Sequence, residues 1–312
     1  MTVAAVEPSE LAEAFALLYG PGADLDVGHA FRLVARGELN PGDVLVARRA
    51  GAPIGAVFAS RLPGGVAVIW PPRAAGDDPA LEDALTAAAV EHVAGAKVVQ
   101  AFLPPEDAGR AGPLLRTGFR HVTRVWQMGL PSAATRQRSA SPRRVGDRDP
   151  APRGGHPTRS AGASRLTAIR YTDTDPAAFH TTLVRAHDDS LDCPELHAVL
   201  TPDDVLAGYL DVAPDPAGWW LAVADDQPAG VLLLNGDELT FLGVVPEWRD
   251  RGVGRQMLEL ALEQAPGLSL VVDARNAGLW PAAILAGAPG ADCFVPLDLP
   301  VDGVLAFRIR CP

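Results

Sequence analysis

Short apolar runs, several of them rich in β-branched residues, recur along both halves of the chain and are separated by turn residues. In the second half, 219–234 is typical of two strands joined by an acidic turn, and 238–245 is typical of a third strand. Apolar residues then recur at helical spacing over 252–264 and predict a helix with one buried face. Together these segments predict a sheet with helices packed against it.

The same order of predicted elements occurs twice, which indicates a weak internal repeat. Each copy is predicted to be an α/β unit (α+β mixed sheet), in which a central mixed and mostly antiparallel sheet is flanked by helices. In the first copy, strands are predicted over 44–49, 54–61, 65–70, 97–103 and 120–129, and helices over 79–93 and up to Leu115. In the second copy, besides the segments above, strands are predicted over 166–172 and 268–274, and helices from 176 and over 202–212, followed by a short helix and two closing strands.

Residues 131–165 differ sharply from the rest of the chain. They contain eight Arg and two Asp but no Leu, Ile, Phe, Trp or Tyr. Such a composition cannot bury enough apolar surface to offset the entropy of ordering, so we expect a disordered linker. It separates a first predicted domain, 1–130, from a second, 166–312.

The charge and composition of the chain exclude several classes of protein. The net charge of −11 is opposite in sign to that of proteins that bind nucleic acid or anionic membranes. Only the basic linker could bind nucleic acid. The single lysine, Lys97, follows an alanine, which rules out a GxxxxGK[ST] phosphate loop. Three cysteines do not make a disulfide framework, and no apolar run reaches the ~18 residues of a membrane span. We expect a cytoplasmic protein, and the sequence leaves a monomer or a dimer open.

Two adjacent tryptophans, Trp219 and Trp220, begin the first strand of the predicted hairpin. Because side chains alternate between the two faces of a strand, we expect only one of these rings to face the core. The expected role of that ring is packing.

The stretch from Val244 to Arg255 is the most informative in the chain and reads V-V-P-E-W-R-D-R-G-V-G-R. A strand ends at a proline, a short basic loop follows, and a helix begins at two glycines. The unpaired N–H groups of the first helical turn and the helix dipole favour an anion there, and arginines add positive charge. Because Met257 stands where a GxGxxG dinucleotide motif has its third glycine, a Rossmann site is disfavoured.

This stretch, with R-x-x-G-x-G after a strand that ends in V-x-P, resembles the acetyl-coenzyme A (acetyl-CoA) motif of the GNAT-family N-acetyltransferases. The order of elements over 166–312 and the segment Asp273-Ala274-Arg275-Asn276 are similar to the same family, and the first copy resembles it more weakly. The resemblance implies a tandem of two GNAT-like domains, with acetyl-CoA as cosubstrate in the second. The residues that it implies for cofactor binding are Val244, Val245, Arg249, Asp250, Arg251, Gly252, Val253, Gly254, Arg255 and Asn276.

The resemblance also implies the residues that carry out catalysis. Glu238, six positions before Val244, stands where several family members have a carboxylate that removes a proton from the amine. The family often has a tyrosine that protonates the leaving thiolate, but this chain has Ala283 at that position. Tyr209, on a predicted helix, is the candidate to replace it, and Cys293 is a weaker one.

An acidic loop between the first two predicted helices of the second domain is a candidate substrate site. Its carboxylates, Asp188, Asp189 and Asp192, suit a cationic amine, carried on a small molecule or a peptide. His180, His187, Cys193 and His197 could bind zinc by residue type, but their spacing matches no known pattern, and we assign no metal site.

The first copy lacks the basic loop, because Asp77 and Asp78 stand where a pyrophosphate would bind. We therefore interpret it as a degenerate copy that braces the second or shapes its acceptor cleft. The predicted function is acetyl transfer from acetyl-CoA to a primary amine by direct attack. The alternative, suggested by Ala283, is a non-catalytic acyl-CoA binding or sensing protein.

Overall fold

The computed structural model describes residues 1–20, 24–129, 166–213, 215–277, 295–296 and 304–310. The predicted linker at 131–165 and the positions of Ala283 and Cys293 lie outside these ranges. Residues 1–129 are called the first half below, and residues 166–310 the second half.

The first half consists of seven strands and four helices in its described ranges. The strands are β1 (Thr2–Ala5), β2 (Val44–Arg49), β3 (Ala52–Leu62), β4 (Val66–Ile69), β5 (Arg73–Ala74), β6 (Val98–Leu103) and β7 (Arg120–Gly129), and the helices are α1 (Leu11–Tyr19), α2 (Asp24–Ala35), α3 (Pro79–His92) and α4 (Gly112–Arg116).

The second half repeats this order. Its strands are β8 (Leu166–Arg170), β9 (Trp219–Ala224), β10 (Gln227–Asn235), β11 (Glu238–Val244), β12 (Ser269–Asp273), β13 (Val295–Pro296) and β14 (Val304–Arg310), and its helices are α5 (Pro176–Ala186), α6 (Pro194–His197), α7 (Pro202–Val212), α8 (Val253–Gln264) and α9 (Ala274–Ala277).

Most of the predicted elements are confirmed within one or two residues, because local signals set their ends. The turn between β9 and β10 has Asp225 and Asp226 at φ 47° and 60°, as the tight two-residue turn of a twisted hairpin requires. Thr201 is the N-cap of helix α7, its side chain accepts from the Asp204 amide, and Pro202 is the first helical residue.

The two halves exchange strands. Twelve of the described strands join in one continuous order, β1-β2-β3-β4-β6-β14-β7-β12-β11-β10-β9-β8, while β5 pairs with β3 and β13 pairs with β7. Thus β14, from the end of the chain, lies between β6 and β7 of the first half, and β7 pairs antiparallel with β12 of the second half. The fold is therefore two mixed sheets flanked by helices, which join edge to edge where β14 pairs with β7, and each is completed by a strand from the other half.

Each sheet is covered by helices on both faces. In the second half, Met257 of α8 packs on the same face as Trp220, and Phe179 of α5 packs on the other face with Trp219. Both tryptophans are buried, so the expectation that only one ring faces a core is wrong. The two rings do point to opposite faces of the strand, but each face of this sheet packs against its own hydrophobic core.

The turn between β3 and β4 brings the first half against α7 of the second. Gly64 has φ +82°, and a Cβ added there would lie 2.5 Å from the carbonyl oxygen of Asp204. Lys97 forms an ion pair with the side chain of Asp204 beside this contact. None of the helices in the described ranges is both long and apolar enough to cross a membrane.

Candidate functional site

Strands β11 and β12 start as neighbours and then separate. Their parallel pairing comprises Glu238 with Ser269 and Leu239 with Leu270. Beyond this point β11 continues along β10 to Val244, and β12 continues along β7 to Asp273. Because each strand keeps only its outer neighbour, the facing edges have no strand partner over the rest of their length. The result is a V-shaped opening that widens toward Val244.

The basic loop lies at the wide end of this opening and leads into α8. Gly252 is the N-cap of α8 in the left-handed region, with φ +81° and no capping side chain. A Cβ added to Gly252 would meet no described atom within 4 Å, so the glycine faces open space. The amides of the first turn are therefore left for an external acceptor such as a phosphate.

The corresponding helix of the first half is capped differently. Helix α3 begins after Asp78, whose carboxylate accepts a hydrogen bond from the amide of Leu81 at 3.1 Å. Its own carboxylate thus occupies the position that an anion would take. This contrast with Gly252 supports the expectation that the second half alone binds a pyrophosphate.

The arginines of the loop have different surroundings. The Nε atom of Arg249 donates to the carbonyl oxygen of Val244 at 3.0 Å, and its guanidinium also bonds the backbone carbonyl of Asp188. Arg249 therefore ties the end of β11 to the acidic loop. Arg251 lies over the ring of Trp248 at 5.0 Å, while Arg255 pairs with Glu259 on the exposed face of α8.

A narrow slot of about 50 Å³ occupies the opening between β11 and β12. Thr240 lies in its wall, and the Oγ1 atom of Thr240 is buried without a hydrogen-bond partner among the described residues. Asp192 and Asn276 also line the slot. An unpaired hydroxyl in such a place can donate to a carbonyl oxygen of a bound ligand.

A second cavity, of about 250 Å³, lies between the two halves and is called the junction cavity below. The first half contributes the turn between β3 and β4, including Pro63 and Val66, and the second contributes Tyr209 and largely apolar side chains of the acidic loop and α7. In the described residues, Asp192 and Thr240 line both the slot and the junction cavity.

Tyr209 contacts the imidazole of His187 inside this region. The Nδ1 atom of His187 lies 2.8 Å from the carbonyl oxygen of Leu183, so Nδ1 carries the proton and Nε2 accepts from the Tyr209 hydroxyl at 3.1 Å. Burial lowers the pKa of His187 from 6.5 to about 4, so the ring is neutral at pH 7. Burial raises the pKa of Tyr209 well above its ordinary value and keeps the phenol protonated.

The three carboxylates predicted to bind the amine differ in how far they are buried. Asp188 and Asp189 are exposed and line a separate surface cavity of about 450 Å³. Asp192 is withdrawn into the wall between the slot and the junction cavity, and burial raises its pKa. Glu238 is exposed at the narrow end of the opening, beside the turn before β11, and lines neither cavity.

A buried hydrogen-bond network holds the acidic loop against both halves. The side chain of Asp273 is fully buried and accepts from Thr123 of β7 at 2.6 Å and from the Nε atom of Arg275 at 3.0 Å. Burial alone would raise the pKa of Asp273, but these hydrogen bonds lower it from 3.8 to about 2. The amide of Cys193 donates to Asp273, and the amide of Asp273 donates to Asp192 at 3.1 Å.

Asp192, Cys193 and Asp273 have ligand atoms within 4.8 Å of one another and form the one metal-compatible group in the described residues. Two observations argue against a metal there. Burial raises the pKa of the Cys193 thiol to about 11, which opposes the thiolate that a metal needs. Arg308 donates to the Cys193 sulfur at 3.2 Å, which places a positive charge at the site. His180 and His187 are bonded elsewhere, to Pro202 and to Tyr209.

Residues 172–281 match the acetyltransferase (GNAT) family model. The chain is 36% identical over 75 residues to the peptidyl-lysine N-acetyltransferase YjaB of Salmonella typhimurium and 39% identical over 75 residues to that of Escherichia coli. These alignments cover 24% of this chain, and the chain spans about half the length of these curated relatives, 49% and 48%.

The fold of the whole chain is similar to that of a GCN5-related N-acetyltransferase from Sphaerobacter thermophilus. The TM-score is 0.54 at 17% sequence identity, and the superposition covers 99% of this chain and 95% of the other. This likeness extends the fold assignment to the first half, which lies outside the family match.

Proposed function

Because residues 172–281 match the acetyltransferase (GNAT) family model, we propose that the second half transfers an acetyl group from acetyl-CoA to a primary amine. The observation that carries the proposal is the opening between β11 and β12, which leads from the loop at Gly252 to the slot. An elongated thioester fits this path, with its pyrophosphate at one end and its acetyl group at the other.

The cofactor is held mainly by backbone groups in this proposal. The amides of residues 250–255 bind the pyrophosphate, including those of Asp250, Val253 and Gly254, and Arg251 and Arg255 supply positive charge at the rim. The amide of Arg249 is bonded to the carbonyl oxygen of Pro246. The pantetheine arm pairs with the open edge of β11 near Val244 and Val245. Arg249 acts through Val244 and the acidic loop by fixing the mouth of the opening.

The reaction proceeds by direct attack of the amine on the thioester carbonyl carbon. The developing oxyanion lies near Thr240, whose buried hydroxyl has no other described partner. Tyr209 lines the junction cavity and relays a proton from the attacking nitrogen to the departing thiolate, for which its hydroxyl turns away from the Nε2 atom of His187. Asn276 supports the slot wall. Glu238, the base that the family resemblance implies, would have to act through water from the edge of the site.

The acceptor binds in the junction cavity, whose walls from both halves are mainly apolar. A volume of about 250 Å³ falls below the range of ~300–1,000 Å³ for drug-sized ligands, which favours one side chain or a small amine. The curated relatives are named as peptidyl-lysine N-acetyltransferases, so a lysine side chain is the acceptor to test first. Asp188 and Asp189 attract the ammonium group as it approaches.

The test is amine-dependent release of free thiol from acetyl-CoA, with mass spectrometry of the acetylated amine. The acceptors are lysine peptides and a panel of small apolar amines. Gly252→Trp fills the open space at the loop and should abolish turnover. Gly51→Trp is the matched control, since Gly51 also has a positive φ, +86°, and faces open space in a turn of the first half.

Two results would contradict the proposal. Equal loss in both tryptophan variants would show that backbone strain, and not the loop, limits activity. Acetyl-CoA binding without thiol release for any amine would favour the alternative function, a non-catalytic acyl-CoA binding or sensing protein.

A further inference from the structure

We propose that Asp192, and not Glu238, is the base that takes the proton from the acceptor ammonium; this inference rests on the proposed acetyl transfer. Asp192 and Thr240 alone, in the described residues, line both the slot for the acetyl group and the junction cavity for the amine. A base must lie where the two reactants meet, and these two residues form that wall.

The carboxylate of Asp192 is held in one orientation with one oxygen unoccupied. Its Oδ1 atom accepts from the amide of Asp273 at 3.1 Å, and its own amide donates to Ser190 Oγ at 3.1 Å. No donor among the described residues bonds its Oδ2 atom, which leaves that oxygen for an ammonium group. The reciprocal bond from the Cys193 amide to Asp273 fixes the same loop from the other side.

The charges around Asp192 suit a base. Burial raises its pKa and the nearby Asp273 carboxylate raises it further, while the Asp273 amide and the guanidiniums of Arg308 and Arg275 lower it. The neighbouring Cys193 thiol and Tyr209 phenol are uncharged at pH 7, because burial raises the pKa of both. A carboxylate with a raised pKa is a stronger base than an ordinary aspartate.

Glu238 lacks these features. It is exposed, stands at the narrow end of the opening and lines neither cavity. The other two acids of the loop, Asp188 and Asp189, face a different cavity and are exposed.

The proton balance of the step is complete. Asp192 Oδ2 takes one proton from R–NH₃⁺ and later releases it to solvent. The amine nitrogen forms a bond to the thioester carbonyl carbon while the carbon–sulfur bond breaks, and CoA leaves as a thiolate. The second nitrogen proton reaches the thiolate through Tyr209, so one acetamide, one CoA thiol and one free proton are formed.

The experiment compares kcat/KM against pH for the full chain and for Asp192→Asn, Glu238→Gln and Asp203→Asn. Asparagine keeps an oxygen for the Asp273 amide, so folding and acetyl-CoA affinity should be retained. Loss of a general base costs roughly 10²–10⁴-fold, and we expect at least a hundred-fold fall in kcat/KM for Asp192→Asn. The kcat/KM of wild type should rise as pH increases through the pKa of Asp192. Of the three variants, only Asp192→Asn should lose this rising part of the pH profile. Asp203, exposed in the first turn of α7, is the control for a changed charge.

A second readout separates a base from a structural residue. The acceptors are Nα-acetyl-lysine methyl ester and 2,2,2-trifluoroethylamine, whose ammonium group is far more acidic. Because an amine that is already neutral needs no base, the deficit of Asp192→Asn should shrink with the second acceptor.

The outcomes distinguish the two proposals. Loss of the pH limb in Glu238→Gln instead, or an equal deficit for both acceptors, overturns the role of Asp192 and leaves acetyl transfer intact. A wild type that binds acetyl-CoA and acetylates neither acceptor nor any amine of the panel overturns both.

Discussion

Removing the charge of Asp273 should destabilise the whole molecule, because this side chain joins the two halves. Asp273 of β12 accepts from Thr123 of β7 at 2.6 Å and from Arg275 at 3.0 Å, with its side chain fully buried. In Asp273→Asn the guanidinium of Arg275 loses one of its two charged partners and keeps Glu195, and Thr123 loses a charged acceptor. Breaking a fully buried pair at one partner typically costs ~3–5 kcal/mol, which is an upper bound here because Arg275 is partly exposed and keeps Glu195.

The magnitude can be bounded from the structure. Lowering of the Asp273 pKa from 3.8 to about 2 corresponds to a stabilisation of ~2 kcal/mol in the ionised state. This contribution is present above pH 3.8 and is lost as pH falls through 2, since the folded pKa lies below the unfolded value. We therefore expect Asp273→Asn to lower the free energy of unfolding at pH 7 by about 2–4 kcal/mol.

The assay is urea unfolding of the full chain at pH 7, followed by far-ultraviolet circular dichroism. Thr123→Val removes one hydrogen bond to a charged group and should cost ~1.5–3 kcal/mol. The double variant should cost less than the sum of the two, because both remove the same bond. Additive effects, or a cost for Asp273→Asn below 0.5 kcal/mol, roughly that of an ordinary surface substitution, would refute the coupling of the halves through Asp273.

Two further predictions concern stability and assembly. The pKa of His187 is about 4 in the folded protein and 6.5 in the unfolded chain, so the free energy of unfolding should fall by ~3 kcal/mol as pH drops from 6.5 to 4. His187→Gln should lose this part of the pH dependence in urea unfolding. An unchanged pH dependence would contradict the burial of a neutral ring. A fragment of residues 166–312 lacks β7 and exposes an edge of β12, so sedimentation should show association or poor folding. A stable monomeric fragment that binds acetyl-CoA as the full chain does would contradict the strand exchange.

Local sequence signals were enough to predict most helices and strands and the loop at Gly252. Helix α8, for example, follows directly from the spacing of its apolar residues and the glycine before it. Pairing between distant strands leaves no such local trace. The placement of β14 between β6 and β7 therefore could not be predicted from the order of elements, which suggested two separate copies.

Burial was the other quantity that the sequence did not supply. Asp188, Asp189 and Asp192 look alike in one acidic loop, yet only Asp192 is drawn into the wall between two cavities. Asp192 differs from the other two because its carboxylate accepts a hydrogen bond from the Asp273 amide, and this bond depends on β12 lying against the acidic loop. Arg249 likewise bonds backbone carbonyls, which spacing alone could not indicate.

Calorimetric titration of the full chain with acetyl-CoA shows how many cofactor sites the chain has and whether the loop at Gly252 forms one. The loop at the start of α8 should bind the cofactor, whereas the matching helix of the first half is capped by its own Asp78. We predict one site per chain, lost in Gly252→Trp and retained in Gly51→Trp. Two sites per chain, or a single site that survives Gly252→Trp, would contradict the account.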